Sequence, residues 1–413
     1  MTSKHSGNWL RRMGAALILV LALSSQLLAR PVYAGGVVGN GTPGSCTDAA
    51  LAAAIVGGNV VSFNCGGAPH TIIVNTLLIT PGTNLTVDGG GLITLDGENL
   101  RQIFYVQAGA NLTLQHITLA RADAGTGGAI YNEGTTRLYY TTIRNSNASI
   151  AGGAIHNKGT LVVNDSSFQS NSAGTSGGAI YNNNGTTSIN RVTFANNTAN
   201  RGAAIAHNTG TTTVRNSLLV GNIADTWGGG IMNFSGTVQL TNVTFSGNIA
   251  NAGGGIYAAS GVSVTLNNVT LHLNRADLGG AVYNAGGLGV QARNTILSNS
   301  RDRANAFASL NCDGSAIPVN SLGNNLATDN SCNLNVSSDW PNQTTFAMGP
   351  LANNGGPTQT HMLLPGSKAV NTGSACAATD QRGARRPVGP ACDIGAVEYG
   401  GLWSQQYLPL LVR

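Results

Sequence analysis

Two carboxylates and a guanidinium stand close together at Asp96, Glu98 and Arg101. A glycoside hydrolase needs two carboxyl groups about 5 to 9.5 Å apart, and residues at i and i+2 of a strand share one face at about 6.8 Å. The run Leu95-Asp96-Gly97-Glu98-Asn99 also has the composition of a turn, so plain turn residues are the competing reading. A second acidic series, Asp225, Asn251, Asp277 and Asp302, offers oxygen ligands suited to a hard cation such as calcium. Turn residues recurring at one place in a repeat explain it equally well. No Ser-His-Asp order, Gly-x-Ser-x-Gly elbow or strand-to-helix phosphate loop stands out. No catalytic residue and no metal ligand is therefore assigned, and no cofactor other than calcium comes into question.

A third set of residues suits binding rather than catalysis. Tyr131, His156, Tyr181, a shifted His207, Met232, Tyr257 and Tyr283 each follow or nearly follow a recurring Ile or Val. Alternation along strands points such residues outward, as an aromatic stripe at about 4.8 Å intervals. Aromatic rings stack on sugars and anchor protein interfaces. The plainer alternative is a side-chain ladder that only stabilises a sheet.

Positioning such a stripe requires a regular scaffold, and the sequence contains one. Gly127-Gly128-Ala129-Ile130-Tyr131-Asn132 recurs at Gly152, Gly177, Gly202, Gly228, Gly253 and Gly279, with starts 25, 25, 25, 26, 25 and 26 residues apart. A second column holds Phe168, Phe194, Leu219, Phe245 and Leu271, each followed three residues later by Asn171, Asn197, Asn222, Asn248 and Asn274. Two columns in one register mark a structural repeat. The units are built from Gly, Thr, Asn, Val and Ile, which excludes two-helix repeats. Short apolar alternations between Asn and Gly predict three short strands per coil. The fold class is all-β: a right-handed parallel β-helix of about 25-residue coils, with Ile and Phe columns inward and Gly and Asn at the turns.

Composition agrees. The 413 residues include 57 Gly and only 9% charged side chains, against 42% hydrophobic, which excludes disorder, coiled coil and collagen. The net charge of +5 arises at the N-terminus. Lys4, Arg11 and Arg12 precede an apolar run from Met13 to Leu23, and Val32-Tyr33-Ala34 offers a cleavage site, so residues 1–34 read as a secretory signal peptide. Without it, 17 basic side chains face 16 acidic ones. The arginines are scattered apart from Arg382, Arg385 and Arg386, so nucleic acid is not an expected partner. No later apolar run is long enough to span a bilayer.

Six cysteines permit 15 pairings. Local pairing of Cys46 with Cys65, Cys312 with Cys332 and Cys376 with Cys392 is expected, because none has the C-x-x-C spacing of a zinc or redox site. Thr47 or Asp48 would cap a short helix over Ala49–Ile55 that covers the first coil.

The paired columns resemble the polymorphic outer membrane protein repeat of chlamydial surface proteins, over roughly residues 117 to 300, a pectin-lyase-like β-helix. The C-terminal stretch from Gly349 to His361, with Asn353-Asn354-Gly355-Gly356-Pro357-Thr358-Gln359-Thr360, then Thr379-Asp380-Gln381-Arg382-Gly383, Arg386-Pro387 and Cys392-Asp393-Ile394-Gly395-Ala396-Val397-Glu398, resembles a choice-of-anchor Q domain. That resemblance implies exported, cell-surface or extracellular deployment and no chemistry. The expected organisation is a signal peptide (1–34), an N-terminal cap (35–70), β-helix repeats (71–310), a disulfide-bearing connection (311–348), the small β-rich choice-of-anchor Q domain (349–399) and a tail (400–413). The expected function is non-enzymatic adhesion or recognition of an extracellular glycan or surface protein. A polysaccharide lyase or hydrolase and a structural envelope component are the alternatives.

Overall fold

The computed structural model describes residues 36–402 except 57, 288, 306–308, 315–317 and 345. The expected signal peptide and the last residues of the tail lie outside the described residues. Nearly all the described regular structure is strand, wound as a parallel β-helix. Three strand positions recur in each coil and pair with the coils before and after. The first runs from Leu77–Ile79 through Ile130–Asn132 and Ile180–Asn182 to Cys312–Gly314. The second begins at Val37–Val38 and Asn59–Phe63, before the expected start of the repeats. The third makes eleven rungs, from His70–Ile73 to Leu326–Ala327.

A fourth ladder was not anticipated. Asp123–Thr126, Asn147–Ala151, Ser172–Ser176, Thr198–Arg201 and Ile223–Trp227 form a separate five-stranded parallel sheet just before each Gly-Gly. Its strands carry mostly small or polar residues, Ile150, Ile223 and Trp227 apart, and lack the apolar alternation that reveals a half-buried strand.

Inside, one continuous apolar core runs from Val38 to Leu334. The Ile column and the Phe and Leu column both lie in it, and Phe168 stacks on Phe194 with centroids 5.0 Å apart. Two inward asparagine ladders accompany them. Asn132 Nδ2 donates to Asn157 Oδ1 at 2.7 Å, and Asn157 Nδ2 donates to Asn182 Oδ1 at 2.8 Å. In the Phe-x-x-Asn column the chain Asn171, Asn197, Asn222, Asn248, Asn274 is joined by Nδ2 to Oδ1 bonds of 2.8–3.0 Å. These asparagines do not take left-handed angles themselves. The residue before each does, as at Ser170 and Asn196, with φ of 53° and 55°. Each buried amide therefore satisfies the next coil, which removes the desolvation penalty an unpaired amide would carry.

The N-terminal helix forms where the sequence suggested. Thr47 caps the helix Asp48–Ile55 by accepting from Ala50 N, while Asp48 accepts from Asn75 of the first coils at 2.6 and 3.1 Å. All three local disulfides form. Cys312 is itself a rung: it pairs with Val282 and takes the Ile position of the last coil.

The C-terminal segment has little regular structure beyond the antiparallel pair Met348–Ala352 and Thr360–Leu363. It lies along the flank of the coils, on the outer side of the third ladder. Thr244 Oγ1 donates to Gln381 Oε1 at 2.6 Å, Ala396 N donates to Thr270 Oγ1 at 3.0 Å, and Ile296 and Leu326 pack against Leu363, Ala369 and Ile394.

Candidate functional site

The outward positions of the first ladder form one file: Tyr105, Tyr131, His156, Tyr181, Ala206, Met232, Tyr257 and Tyr283 are successive register partners. His207 is not among them. It points inward, fully buried, and occupies the Asn132/Asn157/Asn182 column, where its Nδ1 accepts from Asn182 Nδ2 at 3.1 Å. The Gly-Ala-Ala-Ile variant keeps its register, so the aromatic residue at 207 falls on the inner face and Ala206 on the outer one. Alternation alone decides this.

The file is nevertheless nearly unbroken, for a reason the motif does not show. In the two coils where the outward residue is Ala206 or Met232, the residue five positions earlier is Arg201 or Trp227, at the end of the fourth ladder. Trp227 stacks on Tyr257 (5.1 Å, 14°), Tyr257 stacks on Tyr283 (5.3 Å, 9°), and the Arg201 guanidinium lies 4.7 Å over the Trp227 ring. The other half is less parallel: Tyr105 meets Tyr131 edge to face at 5.3 Å, and His156 meets Tyr181 edge to face at 5.0 Å. In the row from Arg201 to Tyr283 the ring faces are thus largely covered by the neighbouring coil. Edges, phenol groups and the Arg201 cation remain at the surface.

Two polar groups that the sequence reading missed flank this file, and a third belongs to it. Glu133 and Lys158 each follow the motif at the same offset, one coil apart. Lys158 Nζ donates to Glu133 Oε1 at 3.0 Å, and Tyr105 Oη donates to Glu133 Oε2 at 3.0 Å. The lysine bond holds the Glu133 pKa below its usual value, and the Glu133 bond raises those of Lys158 and Tyr105. His156 is the third. Burial pushes its pKa down to about 4, with Lys158 adding to the effect, and neither ring nitrogen has a hydrogen-bond partner.

The candidate acid pair is divided between a strand end and the turn that follows it. Asp96 ends a strand, nearly buried, and accepts from Glu98 N at 2.8 Å and from Arg121 Nη2 at 2.6 Å. Glu98 sits in the following turn at φ 56° and pairs with Arg101 at 2.8 Å. The turn takes Glu98 off the strand, so the two carboxyl groups do not share a strand face. Of the candidate cation ligands, Asp277 and Asp302 border a cavity of about 460 Å³ with Ser309, Leu310 and Asp329, and Asp225 does not. Among the described residues no three His, Cys, Asp or Glu side chains are grouped to hold a metal.

The charged residues of the C-terminal motif are internal. Asp380 accepts from Arg382 Nε and Nη2 at 2.9 and 2.7 Å and from Glu398 N at 3.0 Å. Arg386 donates to the carbonyls of Asp393 and Gly395, both at 2.8 Å. Arg382 and Arg386 are buried and hold the C-terminal segment together, while Arg385 of the same cluster is exposed. Burial raises the Asp393 pKa to about 6.

Two stretches match a known repeat. Residues 165–183 and 242–259 match the Chlamydia polymorphic membrane protein repeat. Each stretch spans a Phe-x-x-Asn rung and the following Gly-Gly rung, so the match falls on the two columns that build the coil. No curated protein and no solved structure matches the chain. No described helix is long and apolar enough to cross a membrane.

Proposed function

We propose that this chain is an exported surface protein that recognises a protein partner along the outer aromatic file of its β-helix. The carrying observation is the packed row Arg201, Trp227, Tyr257, Tyr283, which presents ring edges, phenol groups and a cation from a rigid sheet. Tyr, Trp and Arg are the residues most enriched at the energetic centres of protein interfaces. Fixed in stacks, they lose little further entropy on binding. Stacking also leaves few ring faces open, which favours a protein over a sugar on this file. Surface deployment is supported by the chlamydial membrane protein repeat, by three disulfides suited to an oxidising compartment, and by the C-terminal resemblance to a choice-of-anchor Q domain.

The test is binding of the purified chain to an array of extracellular proteins, compared with a Trp227→Ala/Tyr257→Ala variant. Specific binding that falls at least tenfold in the variant is expected. Equal binding by both proteins would count against this surface.

A further inference from the structure

We propose a second binding site, for a neutral pyranose unit of a glycan, in the cavity at the corner between the second and third ladders. The cavity, of about 380 Å³, is lined by Tyr140, Asp165, Arg191, the hydroxyl-bearing residues Thr142, Ser167 and Thr193, and Pro357. It lies away from the aromatic file and is independent of the protein-partner reading.

The corner itself supplies the argument. One residue per coil turns the chain there in the left-handed region: His116, Tyr140, Asp165, Arg191, Asn216, Asn242, Asn268 and Asn294, with φ between 48° and 57°. Asparagine is the L residue that tolerates this backbone best, and a bulky residue there is an outlier. Every coil from Asn216 on uses it, ending with Asn324 at φ 58°, and the C-terminal segment covers them: Asn242 Nδ2 donates to Thr379 O at 2.8 Å, Asn294 Nδ2 to Ser374 O at 2.8 Å and Asn324 Nδ2 to Thr372 O at 2.7 Å. The change from Asn to Tyr, Asp and Arg occurs where that cover ends, at Pro357 and Thr358, whose Oγ1 bonds Asn216 O. Coil geometry would be served by Asn at all these positions. Asp and His also tolerate this backbone, so the strained members of the column are Tyr140 and Arg191, and both stand on its uncovered stretch, where strain of this kind points to function.

The chemistry of the lining selects the ligand. Tyr140 is 45% exposed, and His116 stacks on its ring in parallel at 5.1 Å, holding it upright as a wall of the cavity. Such a wall suits the apolar C–H face of a pyranose. Arg191 Nε and Nη2 both donate to Asp165, at 2.6 Å each, so the guanidinium charge is neutralised in place. A neutralised pair offers donors and acceptors to sugar hydroxyls without drawing an anion. Thr142 and Ser167, 3.1 Å apart across successive coils, add a floor of hydroxyl groups. Pro357 closes one end, so the C-terminal segment completes the site.

The experiment is calorimetric titration of the full chain with maltohexaose, chitohexaose, mannohexaose and galactohexaose, with hexagalacturonate as the anionic arm. Binding of at least one neutral hexasaccharide is expected, weakened at least tenfold by Tyr140→Asn, with the melting temperature of that variant unchanged or raised. Should Tyr140→Asn fold poorly, Asp165→Asn/Arg191→Asn replaces the ion pair with the residue the column already uses and must weaken binding as much. No neutral binding, stronger binding of hexagalacturonate than of any neutral sugar, or full binding by a folded variant would each overturn the proposal.

Discussion

Asn197 donates both its backbone N–H and its side-chain Nδ2–H to one oxygen, Asn222 Oδ1, at 3.0 and 2.9 Å. Asn222 repeats this toward Asn248 Oδ1, at 3.1 and 2.8 Å, and its Nδ2 also reaches Phe194 O at 3.0 Å. Every one of these groups is buried. Asn222→Ala therefore leaves the backbone N–H of Asn197 without its acceptor and removes one partner each from Asn197 Nδ2, Asn248 Oδ1 and Phe194 O, and should destabilise the chain by about 2 to 4 kcal/mol. Urea unfolding of the variant checks this. A loss below about 1 kcal/mol would mean that water replaces the ladder.

The two turn types around the coil respond oppositely to added side chains. A Cβ on Gly153 would stand 2.2 Å from both Gly178 O and Ser172 O, which are backbone atoms on the next coil. Gly153→Ala should cost about 3 kcal/mol or more, because coil spacing itself must yield. Gly247 has φ 63° and nothing within 4 Å of its Cβ position. Asn145, Asn196 and Asn299 fill that turn in other coils at φ of 52° to 55°. Gly247→Asn should accordingly stay within about 0.5 kcal/mol of the parent. Thermal melts of the two variants, compared side by side, distinguish the positions.

What the sequence made legible follows from what repeats. Columns of Ile, Phe, Asn and Gly recur because each coil meets an identical neighbour, so fold class, register and the inward Ile and Phe columns could be read from spacing, whereas the ladder asparagines were read as turn residues and proved to point inward. Compensation between columns was harder to see. Trp227 and Arg201 fill the outer file from a different strand, and only the coincidence of Ala206 and Met232 with a large residue five positions earlier carries that information. His207 was placed outward because its residue type outweighed its register. The corner holding Tyr140 and Arg191 shows no motif, since what marks it is departure from Asn, and the flank-wise docking of the C-terminal segment depends on pairings more than a hundred residues apart.

That docking rests on one buried ionic cluster. Asp380 holds Arg382, Ala384 N and Glu398 N. Removing one partner of a buried pair leaves the other charge uncompensated, at a cost of roughly 3 to 5 kcal/mol. Asp380→Ala should release the C-terminal segment while the coils remain folded. Hydrogen exchange reads this directly: the amides of Gly395 and Ala396, which bond Asn294 O and Thr270 Oγ1, should lose protection, and that of Ile180 should not. Retained protection at Gly395 and Ala396 would refute the role given to Asp380.

Acid should weaken the fold through its buried histidines. Burial lowers the pKa of His156 and His207 to about 4 and that of His272 to about 3, against an ordinary value near 6.5. The unfolded chain therefore takes up protons first as pH falls, and stability present above about pH 6.5 is lost progressively toward pH 4, by up to about 3 kcal/mol for each histidine. Asp393 opposes this: with its folded pKa raised to about 6, it gains a proton in the folded state first and adds stability as pH falls below that value. Three histidines outweigh one carboxylate, so the unfolding midpoint should fall between pH 7 and pH 4. His207→Asn places in the inner column the residue found at Asn132, Asn157, Asn182 and Asn233, and should flatten the pH dependence without destabilising the chain at pH 7. An unchanged slope in that variant would show that His207 does not titrate with folding.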